Sequence, residues 1–128
     1  MGKIRKKKVL IVDNEREFAS TLAERMRLRH IEAESVYSGE GALEAVSRFM
    51  PDVIILDIQM PTMGGLEVLS HVKGIDTTIE VILLTGHGSI EAGIAGMEMG
   101  AFDYIIKPVD LIHLMEKITE ACEKKSGK

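Results

Sequence analysis

Val9-Leu10-Ile11-Val12-Asp13-Asn14-Glu15 sets four aliphatic residues in a row and then switches at once to acid, amide, acid. An unbroken apolar run of this length, mostly β-branched, fits a strand covered on both faces, because a strand with one wet face alternates. The pattern recurs in Val53-Ile54-Ile55-Leu56-Asp57 and, broken only by Glu80, in residues 79–84 before Thr85. Residues 101–106 read as a further strand, stopped by Lys107-Pro108, and residues 31–37 alternate as an edge strand does. Helical spacing fills the intervals. Phe18, Leu22 and Met26 lie four apart within residues 15–29. Ala42, Leu43, Val46 and Phe49 follow the break Ser38-Gly39-Glu40-Gly41 and stop before Pro51. Leu66, Leu69 and Val72 open a third helix. Residues 89–99 form a fourth with Ser89 as its expected cap. Leu111, Leu114, Met115, Ile118 and Cys122 stripe a fifth behind Asp110, another cap candidate. Five β–α units without hairpin signals predict an α/β fold, a five-stranded parallel sheet with helices on both faces. They are too few for an eight-stranded barrel.

The 128 residues make one domain, expected over residues 8–122, between a basic lead-in at 1–7 and a polar, frayed tail at 123–128. Apolar residues at 45% suffice for a core. A net charge of −4 argues against direct nucleic-acid binding. One cysteine, Cys122, leaves no internal disulfide and suits a reducing compartment. The basic run from Lys3 to Lys8 meets only four apolar residues before Asp13, too few for a signal-peptide core, and no apolar run would span a membrane. A cytoplasmic domain without membrane contact is the expectation. His30, His71, His87 and His113 have no metal-ligand spacing and read as surface or loop residues.

In an open α/β sheet, ligands bind beyond the carboxyl ends of the strands. The first strand ends in Asp13, the third in Asp57, the fourth in Thr85 and the fifth in Lys107, so all four groups should emerge on one edge. An acid after a strand is, taken alone, more often a turn former than a catalyst. Together the groups make sense as chemistry. Clustered carboxylates favour a hard cation such as Mg²⁺. A hydroxyl and an ammonium suit the oxygens of a phosphoryl group, and one carboxylate can then be the nucleophile.

With Asp13, Asp57-Ile58-Gln59-Met60-Pro61 followed by Gly65, Thr85-Gly86 and Lys107-Pro108, the chain resembles the receiver domain of two-component response regulators over nearly its whole length. The resemblance implies a three-layer, flavodoxin-like (βα)5 fold with strand order 2-1-3-4-5. It implies that Asp57 accepts a phosphoryl group from the phosphohistidine of a sensor histidine kinase or phosphotransfer protein. By the same likeness, Asp13, Asp57 and the Gln59 main-chain carbonyl hold Mg²⁺, Lys107 neutralises phosphoryl charge, and Thr85 and Tyr104 act as the switch. The Lys107–Pro108 bond is implied to be cis. The fourth helix, fifth strand and fifth helix become the output face, for a second copy or a downstream effector.

Several positions depart from the expected pattern or leave it open. Asn14 stands where the family usually has a second metal-binding acid. It reads either as a weakened metal ligand or as a cap of the first helix, paired with Glu17 in a capping box. Glu15 is a compensating carboxylate only if it points into the site. Gly64 replaces a frequent acid and predicts a looser loop. Gly93 and Gly96 fit either close packing or a labile fourth helix. Two other functions compete. A pseudo-receiver would keep the fold as a protein-interaction module with the metal site weakened at Asn14. A flavin- or nucleotide-binding domain would need a phosphate-cradling loop after the first strand, where Asp13-Asn14-Glu15 stands instead.

Overall fold

The computed structural model describes residues 6–125. Its strands are β1 (Lys8–Val12), β2 (Glu32–Val36), β3 (Val53–Asp57), β4 (Glu80–Thr85) and β5 (Asp103–Ile106). Its helices are α1 (Arg16–Arg27), α2 (Gly39–Phe49), α3 (Gly65–Ile75), α4 (Ile90–Glu98) and α5 (Leu111–Lys125), and a 3-10 turn, His87–Ser89, precedes α4. All four strand pairings are parallel, and the sheet order is β2-β1-β3-β4-β5, as expected.

Pleating divides the apolar runs between two cores. Leu10, Val12, Ile54, Leu56 and Leu83 meet Val46, Phe49, Val68, Leu69 and Val72 on the side covered by α2, α3 and α4. Val9, Ile11, Ile55, Ile82 and Leu84 meet Ala19, Leu22 and Met26 of α1, and Leu114 and Ile118 of α5, on the other. Both faces of β1, β3 and β4 are therefore dry, which is why those strands carry no alternation.

Several local expectations need correction. Asn14 does not cap α1. The N-cap position is Glu15, it makes no side-chain cap bond, and the Glu15 N–H is taken instead by Asp13 Oδ1 at 2.9 Å. Ser89 does not cap α4 through its side chain either, because its hydroxyl is engaged by Gln59. Ser38 provides the cap of α2, accepting from Gly41 N, so the helix begins inside the stretch read as a break. Asp110 does cap α5, with Oδ1 3.1 Å from Ile112 N. The expected frayed tail is helical through Lys125, with Lys124 reaching Glu80 at 3.8 Å and lying over the Phe102 ring. The remainder of the tail and most of the lead-in lie outside the described residues.

The glycines of α4 read as close packing. A Cβ on Gly93 would stand 2.9 Å from the Tyr104 ring, and one on Gly96 would collide with the buried Leu83 side chain. Of the four histidines, His30, His71 and His113 are exposed.

Candidate functional site

The parallel pairing brings Asp13, Asp57, Thr85 and Lys107 to one edge of the sheet. Asp13 follows β1, Asp57 ends β3, Thr85 ends β4 and Lys107 follows β5. The main chain fixes the last pair, because Lys107 N donates to the Thr85 carbonyl at 2.7 Å. The Lys107–Pro108 peptide is cis. The β3–α3 loop is held close to the sheet at Gly65, where a Cβ would come within 2.5 Å of the Asp57 carbonyl oxygen. Gly64 is the N-cap residue of α3, in extended backbone.

The Lys107 ammonium lies between the carboxylates. Its Nζ is 2.9 Å from Asp13 Oδ2, 2.9 Å from Glu15 Oε1 and 3.9 Å from Asp57 Oδ2. The Phe18 ring centroid lies 5.0 Å from the same nitrogen. Burial by itself would lower the lysine's pKa, but hydrogen bonds to Glu15 and Asp13 and the charges of Asp57 and Asp13 outweigh it and raise it. Asp13 is fully buried and Asp57 is 6% exposed. Burial, and then the neighbouring Asp13 charge, push the Asp57 carboxyl up to about 6, against the pull of Lys107 and of the Gln59 N–H on Oδ1. A carboxylate held this far above its ordinary range stores unfavourable charge that an added cation relieves.

Thr85 is also fully buried, and its hydroxyl oxygen has no hydrogen-bond partner. Buried polar atoms are normally satisfied, so this one marks a place where another polar group belongs. Tyr104 sits apart from the carboxylates, half-buried, with its ring against Gly93 of α4. Asn14 is exposed. Two residues take places that the sequence left open or read otherwise. Glu15 points into the pocket and takes a hydrogen bond from Lys107, although its residue is exposed. Ser89 accepts from Gln59 Nε2 at 2.6 Å, joining the β3–α3 loop to the turn before α4.

Two buried carboxylates, a buried hydroxyl and an ammonium can hold a hard cation and a phosphoryl group side by side. Among the described residues, no three acidic, His or Cys side chains form a ready-made metal cage. That donor set still fits Mg²⁺, which takes one or two carboxylates, keeps several waters and accepts phosphate oxygens.

The model of the response regulator receiver domain matches residues 9–119. The chain is 34% identical over 121 residues to the regulatory protein AtoC of Escherichia coli, covering 94% of this chain and 26% of that protein. It is 32% identical over 111 residues to the transcriptional regulatory protein PrrA of Mycobacterium tuberculosis, covering 87% of this chain and 48% of PrrA. The chain thus spans half or less of the length of these relatives. Among solved structures, a response regulator receiver domain protein from Clostridium thermocellum superposes with a TM-score of 0.90 at 30% identity, covering 94% of this chain and 97% of that one. A CheY-like receiver domain protein from Methanospirillum hungatei also gives 0.90, at 26% identity, over 96% of this chain and 98% of its own.

Proposed function

Because the chain belongs to the response regulator receiver family, the phosphoacceptor modules of two-component signalling, we propose that Asp57 is the acceptor and that the phosphohistidine of a sensor histidine kinase or phosphotransfer protein is the donor. The observation that carries this reading is the Lys107 ammonium, poised between Asp13 at 2.9 Å and Asp57 at 3.9 Å at the end of the sheet.

Transfer breaks the donor's P–N bond and forms a P–O bond to an Asp57 carboxylate oxygen. Such transfers depend mainly on positioning and charge neutralisation. The Gln59 N–H holds Asp57 Oδ1, which orients the carboxylate. Lys107 and Asp13 fix each other, so the ammonium stays beside the incoming group. The Thr85 hydroxyl, without a partner before transfer, gains a phosphoryl oxygen after it. Asp13, Asp57 and the Gln59 main-chain carbonyl would hold Mg²⁺, with Asn14 at most a weak contributor. The ion, when bound, offsets the repulsion between two acids and a phosphoryl group.

Thr85 and Tyr104 form the switch of this reading. Thr85 ends β4, Tyr104 lies on β5, and the Tyr104 ring packs against α4. A new bond at Thr85 is passed to the α4–β5–α5 surface, where Ile90 (40%), Ile94 (49%) and Ile112 (69%) are exposed. That apolar face receives a downstream effector or a second copy. The domain works in the cytoplasm in this reading, and no helix among the described residues is long and apolar enough to cross a membrane.

The test is addition of acetyl phosphate, or of beryllofluoride with Mg²⁺, followed by amide NMR. Wild type forms the adduct and shifts signals from Thr85 to Tyr104, and Asp57→Asn does neither. An Asp57→Asn protein that responds like wild type overturns the assignment. Absence of any adduct in wild type would favour the pseudo-receiver, a reading that draws on the exposed Asn14 in place of an acid.

A further inference from the structure

We propose that Glu15 is the resting counter-ion of Lys107, and that phosphorylation exchanges this carboxylate for the phosphoryl group. The inference rests on the reading of Asp57 as acceptor and adds a positioning residue to it.

An ammonium has three donor hydrogens. In the resting pocket Lys107 directs hydrogen bonds to Asp13 Oδ2 and Glu15 Oε1, both at 2.9 Å, while Asp57 Oδ2 remains beyond hydrogen-bond reach at 3.9 Å. A phosphoryl group on Asp57 brings about −1.5 to −2 charge and three strong acceptor oxygens. One donor hydrogen of Lys107 is left over, on the side of Asp57. To give the phosphoryl oxygens more than that single hydrogen bond, Lys107 must release one of its present partners.

The two partners are not equally easy to leave. Asp13 is fully buried, and its other oxygen is held by the Glu15 N–H at 2.9 Å. Without the ammonium, its buried Oδ2 would lose a hydrogen bond that bulk water cannot replace. The Glu15 side chain is 65% exposed, so water takes over its carboxylate when Lys107 departs. Its main chain need not move. The N–H stays on Asp13 and the residue keeps its N-cap place on α1 while only side-chain torsions change. Glu15 therefore yields and Asp13 stays. An ion pair with a solvated carboxylate is weak, so the competition it sets up is worth about two- to fivefold in affinity.

The probe is beryllofluoride at saturating Mg²⁺, with Mg²⁺ affinity first measured separately for wild type and Glu15→Gln. The Gln variant is expected to bind beryllofluoride about two- to fivefold more tightly. The Lys107 Nζ signal, followed by NMR, reports the exchange directly. It should differ between the two proteins before the adduct forms and coincide afterwards, because Glu15 has left in wild type. Equal or weaker binding by Glu15→Gln, or Lys107 signals that still differ in the adduct, overturns the role of Glu15 while leaving Asp57 as acceptor. An adduct in neither protein overturns the Asp57 reading and this inference with it.

Discussion

Thr85 carries a cost that its neighbours do not: a fully buried hydroxyl with nothing to bond. An unmet buried polar group costs about 1–3 kcal/mol. Thr85→Val keeps the branched shape and removes the hydroxyl. It should raise stability to urea by up to about 1 kcal/mol while weakening the beryllofluoride-induced NMR shifts at Tyr104. A loss of stability would mean that the hydroxyl has a partner at rest. Asn14 poses the opposite case, a missing charge at an exposed position. Asn14→Asp should strengthen Mg²⁺ binding and lower stability without metal if the added carboxylate, next to Asp13 in the chain, faces the pocket. A Mg²⁺ titration of thermal stability reads both effects, and identical curves for the two proteins would make Asn14 a bystander. At this scale the sequence told which residues reach the pocket but not how they point. Asp13, Asp57, Thr85 and Lys107 are legible because each terminates a strand. Glu15 and Ser89 are not, because their directions depend on Lys107 and Gln59, partners far away in the chain.

Helix α3 contains two glycines that should respond in opposite ways to the same substitution. Gly65 begins the helix against the end of β3, with the Asp57 carbonyl 2.5 Å from where a Cβ would stand. Backbone cannot retreat as a side-chain tip can, so Gly65→Ala should destabilise by about 1–3 kcal/mol, more than alanine's helix preference returns. Gly74 lies near the other end, exposed, with nothing within 4 Å of its added Cβ. Gly74→Ala should stabilise by about 0.4–1 kcal/mol, chiefly by restricting the unfolded chain. Urea unfolding of both variants decides: a stabilised Gly65→Ala would contradict the close packing there, and a destabilised Gly74→Ala would contradict the open space at Gly74. The elements themselves were readable from period and punctuation, with the ends less so. Ser38-Gly39-Glu40-Gly41 reads as a break, yet the Ser38 oxygen takes the Gly41 N–H and the helix starts there. The end of α5 reads as a frayed tail because Glu123, Lys124 and Lys125 are all charged. It is helical where Lys124 lies against Phe102 and Glu80, a tertiary contact that no local window contains.

Over the whole molecule, the runs 9–12 and 53–56 disclosed a buried parallel sheet, whereas the order β2-β1-β3-β4-β5 followed from family likeness, since apolar runs say that a strand is central but not which neighbours it has. The closing of that sheet puts Asp57 in a place that taxes the folded state as a whole. Its carboxyl titrates at about 6 in the folded protein against an ordinary value of 3.8, because of burial first and Asp13 second. The folded state thus holds this proton more tightly than the unfolded chain does. The stabilisation from proton binding is complete below 3.8 and is lost as pH rises through about 6. Asp57→Asn has no such group, so its stability relative to wild type should grow across that window. One pKa unit corresponds to about 1.4 kcal/mol, which puts the plateau above neutrality at roughly 2–3 kcal/mol. Glu34, held below its ordinary value mainly by its hydrogen bond to Arg48, works in the reverse direction. It is common to both proteins and cancels in their difference. Urea unfolding of the pair in a chelator, at a series of pH values from about 4 to about 8, measures that difference. A gap that stays flat would mean that the folded pocket leaves Asp57 as acidic as water does. If the gap rises as expected, saturating Mg²⁺ should shrink it, because a cation between Asp13 and Asp57 removes the repulsion that the Asn variant escapes by losing its charge.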